Sequence, residues 1–189
     1  MCAVKIYTEE RKHVLCETGV AVASYRVLYP RIEGKEKISA FYAEMAESLL
    51  AFFRGQAEAR REAFRLLDRR SRKGFPPLFM NMLFSVTHED ENIISIVREY
   101  VLCEGKTPLA YRKSGEIWGA ESELLLPARL FFPHSLWKKA EKNEFYYDGG
   151  AVLVENLFPE SRGDGRRAKL SDYIIETRVK TGQEEKTAR

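Results

Sequence analysis

No stretch of this 189-residue chain approaches the roughly 20 uninterrupted apolar residues that a membrane-spanning helix needs. The longest apolar runs, Leu49–Phe53 and Leu124–Phe132, are far shorter and have charge close by. The opening, MCAVKIYTEERKHVLC, lacks the basic segment and apolar core of a secretory leader. The expected compartment is therefore the cytoplasm, or an extracytoplasmic one if a leader has been trimmed away. Cysteine is scarce: Cys2, Cys16 and Cys103 make no Cys-x-x-Cys pair, and their odd total argues against a closed disulfide framework. Reduced, buried thiols are the expectation. Phosphate-binding glycine loops and a Gly-x-Ser-x-Gly nucleophile turn are also missing.

What is present suits a soluble α+β domain. Hydrophobic residues at 44% can fill a core without staples, and 31% charged residues keep the chain out of the disordered class. The length predicts a single domain over residues 1–180, with Thr181–Arg189 as a flexible charged tail.

The clearest local pattern runs from Leu78 to Cys103. Leu78, Met80, Met82, Phe84 and Val86 alternate on one face, as do Ile94, Ile96, Tyr100 and Leu102, with Arg98 the exception. His88-Glu89-Asp90-Glu91-Asn92 separates the two runs, which reads as an antiparallel hairpin with a solvated turn. Upstream, Thr18–Ile32 reads as a strand, ended by Pro30 and Gly34. Lys35 to about Asp68 then reads as a long amphipathic helix, because Ile38, Phe41, Tyr42, Met45, Leu49, Phe52 and Phe53 recur at three- and four-residue spacing. Gly55 marks a bend or break in it, since glycine costs about 1 kcal/mol relative to alanine in a helix interior.

Downstream, Leu109–Lys113 and Glu116–Ala120 suggest a second hairpin across Ser114-Gly115. Leu124–Phe132 is expected to be buried, and Ser135 to cap a short helix. Phe145–Tyr147 and Ala151–Asn156 flank a turn at Asp148-Gly149-Gly150, and Leu170–Val179 reads as a closing strand. The order predicts an α+β fold with the long amphipathic helix packed on an antiparallel β-sheet.

Candidate chemistry is thin. His88 sits among turn carboxylates too close in sequence to converge on one metal. His13 and Cys16 are three apart with no second pair to complete a zinc site, and His134 follows Pro133 at a helix start. Glu121 and Glu123 alternate on an expected strand, where edge carboxylates are the common reading. No pattern calls for a metal or a cofactor.

The strongest interaction signal is cationic. Arg54, Arg60, Arg61, Arg65, Arg69, Arg70, Arg72 and Lys73 crowd the second half of the helix and the loop after it, against Glu58, Glu62 and Asp68. Their positions oppose the apolar stripe, giving either a solvated helix face or a surface for an acidic protein or anionic polymer. No aromatic ladder interleaves the arginines, which argues against single-stranded nucleic acid. A second basic knot, Arg162, Arg166, Arg167 and Lys169, lies in a glycine-containing loop.

Several short motifs share an order with a known family. They are Tyr29-Pro30-Arg31-Ile32-Glu33-Gly34, Phe84-Ser85-Val86-Thr87 leading to Asn92-Ile93-Ile94-Ser95-Ile96, and Phe145-Tyr146-Tyr147-Asp148-Gly149-Gly150 followed by Pro159 and Ser171-Asp172-Tyr173. In these the chain resembles a bacterial domain-of-unknown-function family. That domain occurs C-terminally in some peptidoglycan deacetylases and in the ectodomain of a lysozyme-sensing anti-sigma factor. The resemblance covers Tyr25 to Ile175 and implies the family's α+β fold. Where the family often carries a Gly-Gly-Ala-His-Gly loop, this chain reads Cys103-Glu104-Gly105-Lys106-Thr107. Lysozyme sensing and a cell-wall role need not transfer with the fold. The functional expectation is a non-catalytic binding or sensing module, with Arg54, Arg60, Arg61, Arg65, Arg69 and Arg70 as its partner-binding residues. The alternative is a hydrolase of glycans or peptides whose site gathers dispersed residues.

Overall fold

The computed structural model describes residues 5–131, 145–147 and 152–154. The expectations for residues 133–135, 148–150, 162–169 and 170–189 lie outside these. The fold is α+β: one long helix packed on a five-stranded, mostly antiparallel sheet of order β1-β2-β3-β4-β5. The strands are β1 (Ile6–Glu17), β2 (Val20–Ile32), β3 (Leu78–Glu89), β4 (Ile93–Glu104) and β5 (Thr107–Gly119), with α1 (Glu36–Arg65) between β2 and β3. A separate antiparallel pair joins β6 (Phe145–Tyr147) to β7 (Val152–Val154). The packing falls in two compact units. Among the described residues, the first holds 5–85 and Arg98–Lys113, and the second holds Val86–Val97, 114–131, 145–147 and 152–154.

In the first unit, β1 and β2 form an antiparallel hairpin, with Glu17 opposite Val20. The two turn residues, Thr18 and Gly19, both have positive φ (48° and 80°), the requirement of the tight turn that matches strand twist. Gly34 (φ 71°) then redirects the chain into α1. The helix start has no side-chain cap at Lys35. Ser39, one turn in, ties the helix start to the end of β2: its hydroxyl accepts the Ile32 N–H at 2.9 Å and donates to the Lys35 carbonyl at 2.8 Å.

The helix runs unbroken for 30 residues, so Gly55 does not end it. Gly55 is exposed, and a Cβ there would meet nothing. The buried stripe is Ile38, Tyr42, Ala46, Leu50, Phe53, Ala57 and Phe64. This rotates the face expected from sequence by part of a turn, because Phe52 points to solvent and the alanines take core positions. After α1, β3 pairs with β2 in parallel, with Ala23 opposite Leu78 and Val27 opposite Met82.

The expected Leu78–Cys103 hairpin is β3 and β4. Its tip belongs to the second unit. Asp90 organises it: Oδ1 accepts the N–H groups of Asn92 (2.7 Å) and Ile93 (2.8 Å), while the Asp90 N–H donates to the Ile93 carbonyl at 3.0 Å. Ser114-Gly115 is no turn, for β5 runs straight through it. Gly115 is needed for closeness, because a Cβ there would lie 2.5 Å from the Tyr146 Cβ. Leu124, Leu125 and Leu130 are exposed, against the expectation of burial, while Phe131 is buried. Glu121 and Glu123 stand in a turn, Glu123 with φ 53°, so they are not paired on a strand. Cys16 is exposed on β1 and Cys103 half-buried; both are free thiols.

The two glycines should respond oppositely to alanine. Gly55→Ala should raise stability by up to about 1 kcal/mol, as it removes backbone freedom from an exposed helix. Gly115→Ala should lower it by about 1–3 kcal/mol through overpacking against Tyr146. Urea unfolding followed by circular dichroism checks both signs.

Asp90 yields a pH prediction. Burial opposes its ionisation, but the His88 hydrogen bond and the Ile93 and Asn92 N–H groups outweigh that and hold its carboxyl below the usual range. A lowered folded pKa means its contribution is present above the unfolded value of about 3.9 and disappears as pH falls through the folded one. Urea midpoints measured from pH 6 downward should fall less steeply in Asp90→Asn, which keeps an oxygen acceptor and cannot titrate.

Candidate functional site

Two features of the first unit could engage a ligand: the basic half of α1 and a cleft beside it. The arginines divide into two groups. Arg60 is structural, since its Nε and Nη2 donate to the Pro76 carbonyl at 3.2 and 2.6 Å, and Nη2 also pairs with Glu104. Its guanidinium lies 4.4 Å from the centre of the Phe75 ring. Phe75 packs edge-on against Phe64 at 5.2 Å, and Arg72 covers Phe64 at 5.3 Å while donating to the Arg65 carbonyl at 2.8 Å. Two cations and two aromatic rings thus close the end of α1 against the segment leading to β3.

Arg61 pairs with Glu58 one turn earlier. Arg65 bridges Glu62 (2.7 Å) and Glu17 of β1 (3.1 Å). That hydrogen bond from Arg65 holds the Glu17 carboxyl below the usual carboxylate range. Asp68 is likewise occupied, accepting backbone N–H groups of Ser71 and Arg70, which lower its pKa.

The second group is Arg54, Arg69, Arg70 and Lys73, all exposed. Among the described residues, no side-chain ion pair joins any of these four to a carboxylate. With Glu58 and Glu62 paired to Arg61 and Arg65, the four cations face Asp68 and this surface keeps a net positive charge. Of the six arginines expected to bind a partner, three are held in internal pairs, and Arg54, Arg69 and Arg70 remain available.

The cleft, about 210 Å³ in volume, opens between α1 and the β1–β2 hairpin. Leu15, Ala23, Tyr25, Phe53 and Ala57 give it an apolar lining, while His13, Ser24, Arg54 and Glu58 supply polar groups. The Tyr25 ring meets Phe53 edge-on at 5.7 Å and lies 6.1 Å from the His13 ring, its cross-strand partner. Nothing in the sequence singled this place out. Its residues come from three elements and have no common spacing.

In the second unit, His88 Nε2 lies 3.0 Å from Asp90 Oδ2, and its ring stacks edge-on to Tyr147 at 4.7 Å. Thr87 Oγ1 contacts the Tyr147 carbonyl at 2.6 Å and Ser95 Oγ at 3.0 Å, while Ser95 Oγ accepts the Tyr147 N–H at 2.8 Å. These groups satisfy each other and fasten β6 to the hairpin, a positioning role. His13 is exposed in the first unit, and His134 lies outside the described residues. Among the described residues, no three of His, Cys, Asp and Glu gather as a metal site would require, and no helix is long and apolar enough to cross a membrane.

The motifs of the resemblance fall on connected parts of this framework. Tyr29–Gly34 closes β2 and turns into α1, Phe84–Thr87 and Asn92–Ile96 flank the hairpin tip, and Phe145–Tyr147 is β6. Pro159 and Ser171–Tyr173 lie outside the described residues. No family model matches the sequence, and no curated protein matches it. Solved structures do. A DUF3298 family protein from Pseudomonas aeruginosa PAO1 is 12% identical, with a TM-score of 0.52 over 80% of this chain and 81% of that one. A DUF3298 family member from Bacteroides fragilis NCTC 9343 is 10% identical, with a TM-score of 0.54 over 80% and 83%. At such identity the likeness is one of fold: this chain is built like the proteins of a domain-of-unknown-function family.

Proposed function

We propose that this chain is a non-catalytic binding module that engages an acidic protein or anionic polymer through the exposed cations at the end of α1. The supporting observation is the division among the arginines. Glu104, Glu58, Glu62 and Glu17 are taken up by Arg60, Arg61 and Arg65, leaving Arg54, Arg69, Arg70 and Lys73 exposed and in no side-chain ion pair, with Asp68 the carboxylate beside Arg69 and Arg70. Exposed cations so arranged attract anions over a distance set by the salt screen. The motif resemblance suggests a setting near cell-wall deacetylases or lysozyme sensing, and that setting is a part of the proposal resting on the motifs alone.

The division also separates binding from folding. Arg69→Glu with Arg70→Glu should cut retention on a poly-glutamate or heparin column at least about tenfold at low salt, with little change in unfolding midpoint. Arg60→Ala should act in reverse. It should cost about 2–3 kcal/mol, because Glu104 and the Pro76 carbonyl lose their donor and Phe75 its cover. Unchanged retention by the charge-reversed double variant would remove the basic surface from the account.

A further inference from the structure

We propose that the cleft between α1 and the β1–β2 hairpin is a binding site for a small apolar carboxylate, its acid group on Arg54 and its body against Tyr25 and Phe53. The inference deepens the reading of the chain as a binding module and rests on it, while naming a different ligand and a different set of contacts.

Three observations lead there. The first is size. At about 210 Å³, the cleft falls below the roughly 300 Å³ at which cofactor- and drug-sized sites begin, so it suits one side-chain-sized group. The second is the lining, in which Leu15, Ala23, Tyr25, Phe53 and Ala57 offer apolar surface and two aromatic rings. An aromatic or branched aliphatic body would be desolvated there, and an aromatic one would extend the edge-to-face pair already formed.

The third is charge. Glu58, the one carboxylate in the lining, is paired with Arg61. Arg54 is exposed and is left as the cation for an incoming anion. Its planar fork suits a carboxylate, which it can hold through two parallel hydrogen bonds. Ser24 adds a hydroxyl to the same lining. A free organic acid and the C-terminal residue of a peptide share this chemistry.

The test is a titration of ¹⁵N-labelled full-length protein with phenylacetate and with acetyl-phenylalanine, the second carrying a chain-end carboxylate. Saturable shifts at Leu15, Ser24, Tyr25, Phe53 and Ala57 with either acid are expected. Tighter binding of one acid than the other assigns the source as free acid or peptide end. Phenethylamine, with the same ring and the opposite charge, should bind at least about tenfold more weakly, as should either acid to Arg54→Gln.

Arg54 is exposed, so Arg54→Gln should keep the wild-type unfolding midpoint; Ser24→Ala, expected to weaken binding by a smaller factor, is the second variant. Arg69→Glu with Arg70→Glu should leave the titration unchanged, so loss of polyanion binding and loss of this site can be told apart. No saturable shifts with either acid, or equal affinity for phenethylamine, would overturn the proposal.

Discussion

The constraint that organises the first unit is the parallel pairing of β2 with β3. Antiparallel neighbours can be joined by two residues, but parallel neighbours require the chain to travel back before the second strand begins. Here α1 makes that return. Thirty helical residues advance roughly 45 Å, close to the roughly 43 Å spanned by the thirteen residues of β2. The match explains why the helix is long and unbroken, and why it lies along the strand it follows. Ile38 stands near the end of β2, whereas Phe53 meets Tyr25 and Ala57 stands with Ala23 around the cleft. A helix broken at Gly55 would deliver the chain short of the point where Ala23 pairs with Leu78.

A crossover of this length needs fastening at its far end, and there the basic residues enter the fold. The chain between α1 and β3 carries Pro76 and Pro77, which have no N–H to offer a neighbour. Arg60 instead reaches the Pro76 carbonyl, and the Gly105 N–H reaches that of Pro77 at 2.8 Å. Phe64 and Phe75 fill the space between, covered by Arg72 and Arg60. Arginine suits this work better than lysine, because its planar head covers a ring while its edge still donates hydrogen bonds. Much of the positive charge near the end of α1 is therefore a consequence of closing the crossover, and only the remainder is free to act outside the molecule.

This accounts for how far the sequence could be read. The long helix and the β3–β4 hairpin were legible because α1 and the start of β3 each bury one face and leave a period, while Ile93–Val97 of β4 is buried throughout and reads as a mostly apolar run. β1 was not, since it is an edge strand with no buried residue and so shows no alternation. The parallel β2–β3 pair was not read from the sequence either, because local pattern does not fix which strands become neighbours. Ser114-Gly115 carries turn residues, and tertiary packing against Tyr146 overrides them. The basic cluster was visible in the sequence, but its division was not, because Arg60 finds Glu104 44 positions away and Arg65 finds Glu17 48 positions away.

The cleft follows from the same geometry. A helix lying along a twisted strand pair cannot keep constant distance from both strands. Where the gap widens, large side chains fill it or a hollow remains. At Ala23 and Ala57 the facing residues are both small. On β1, the register shifts between Leu15 and Cys16, an irregularity of the kind that re-aims neighbouring side chains. Leu15 and Tyr25 become walls of the hollow, and Arg54, one turn before Glu58, stands at its edge. Filling the space with a larger residue at either alanine would give the helix more contact with the sheet. The sequence leaves it open at a place on the crossover where an exposed arginine and two aromatic rings converge.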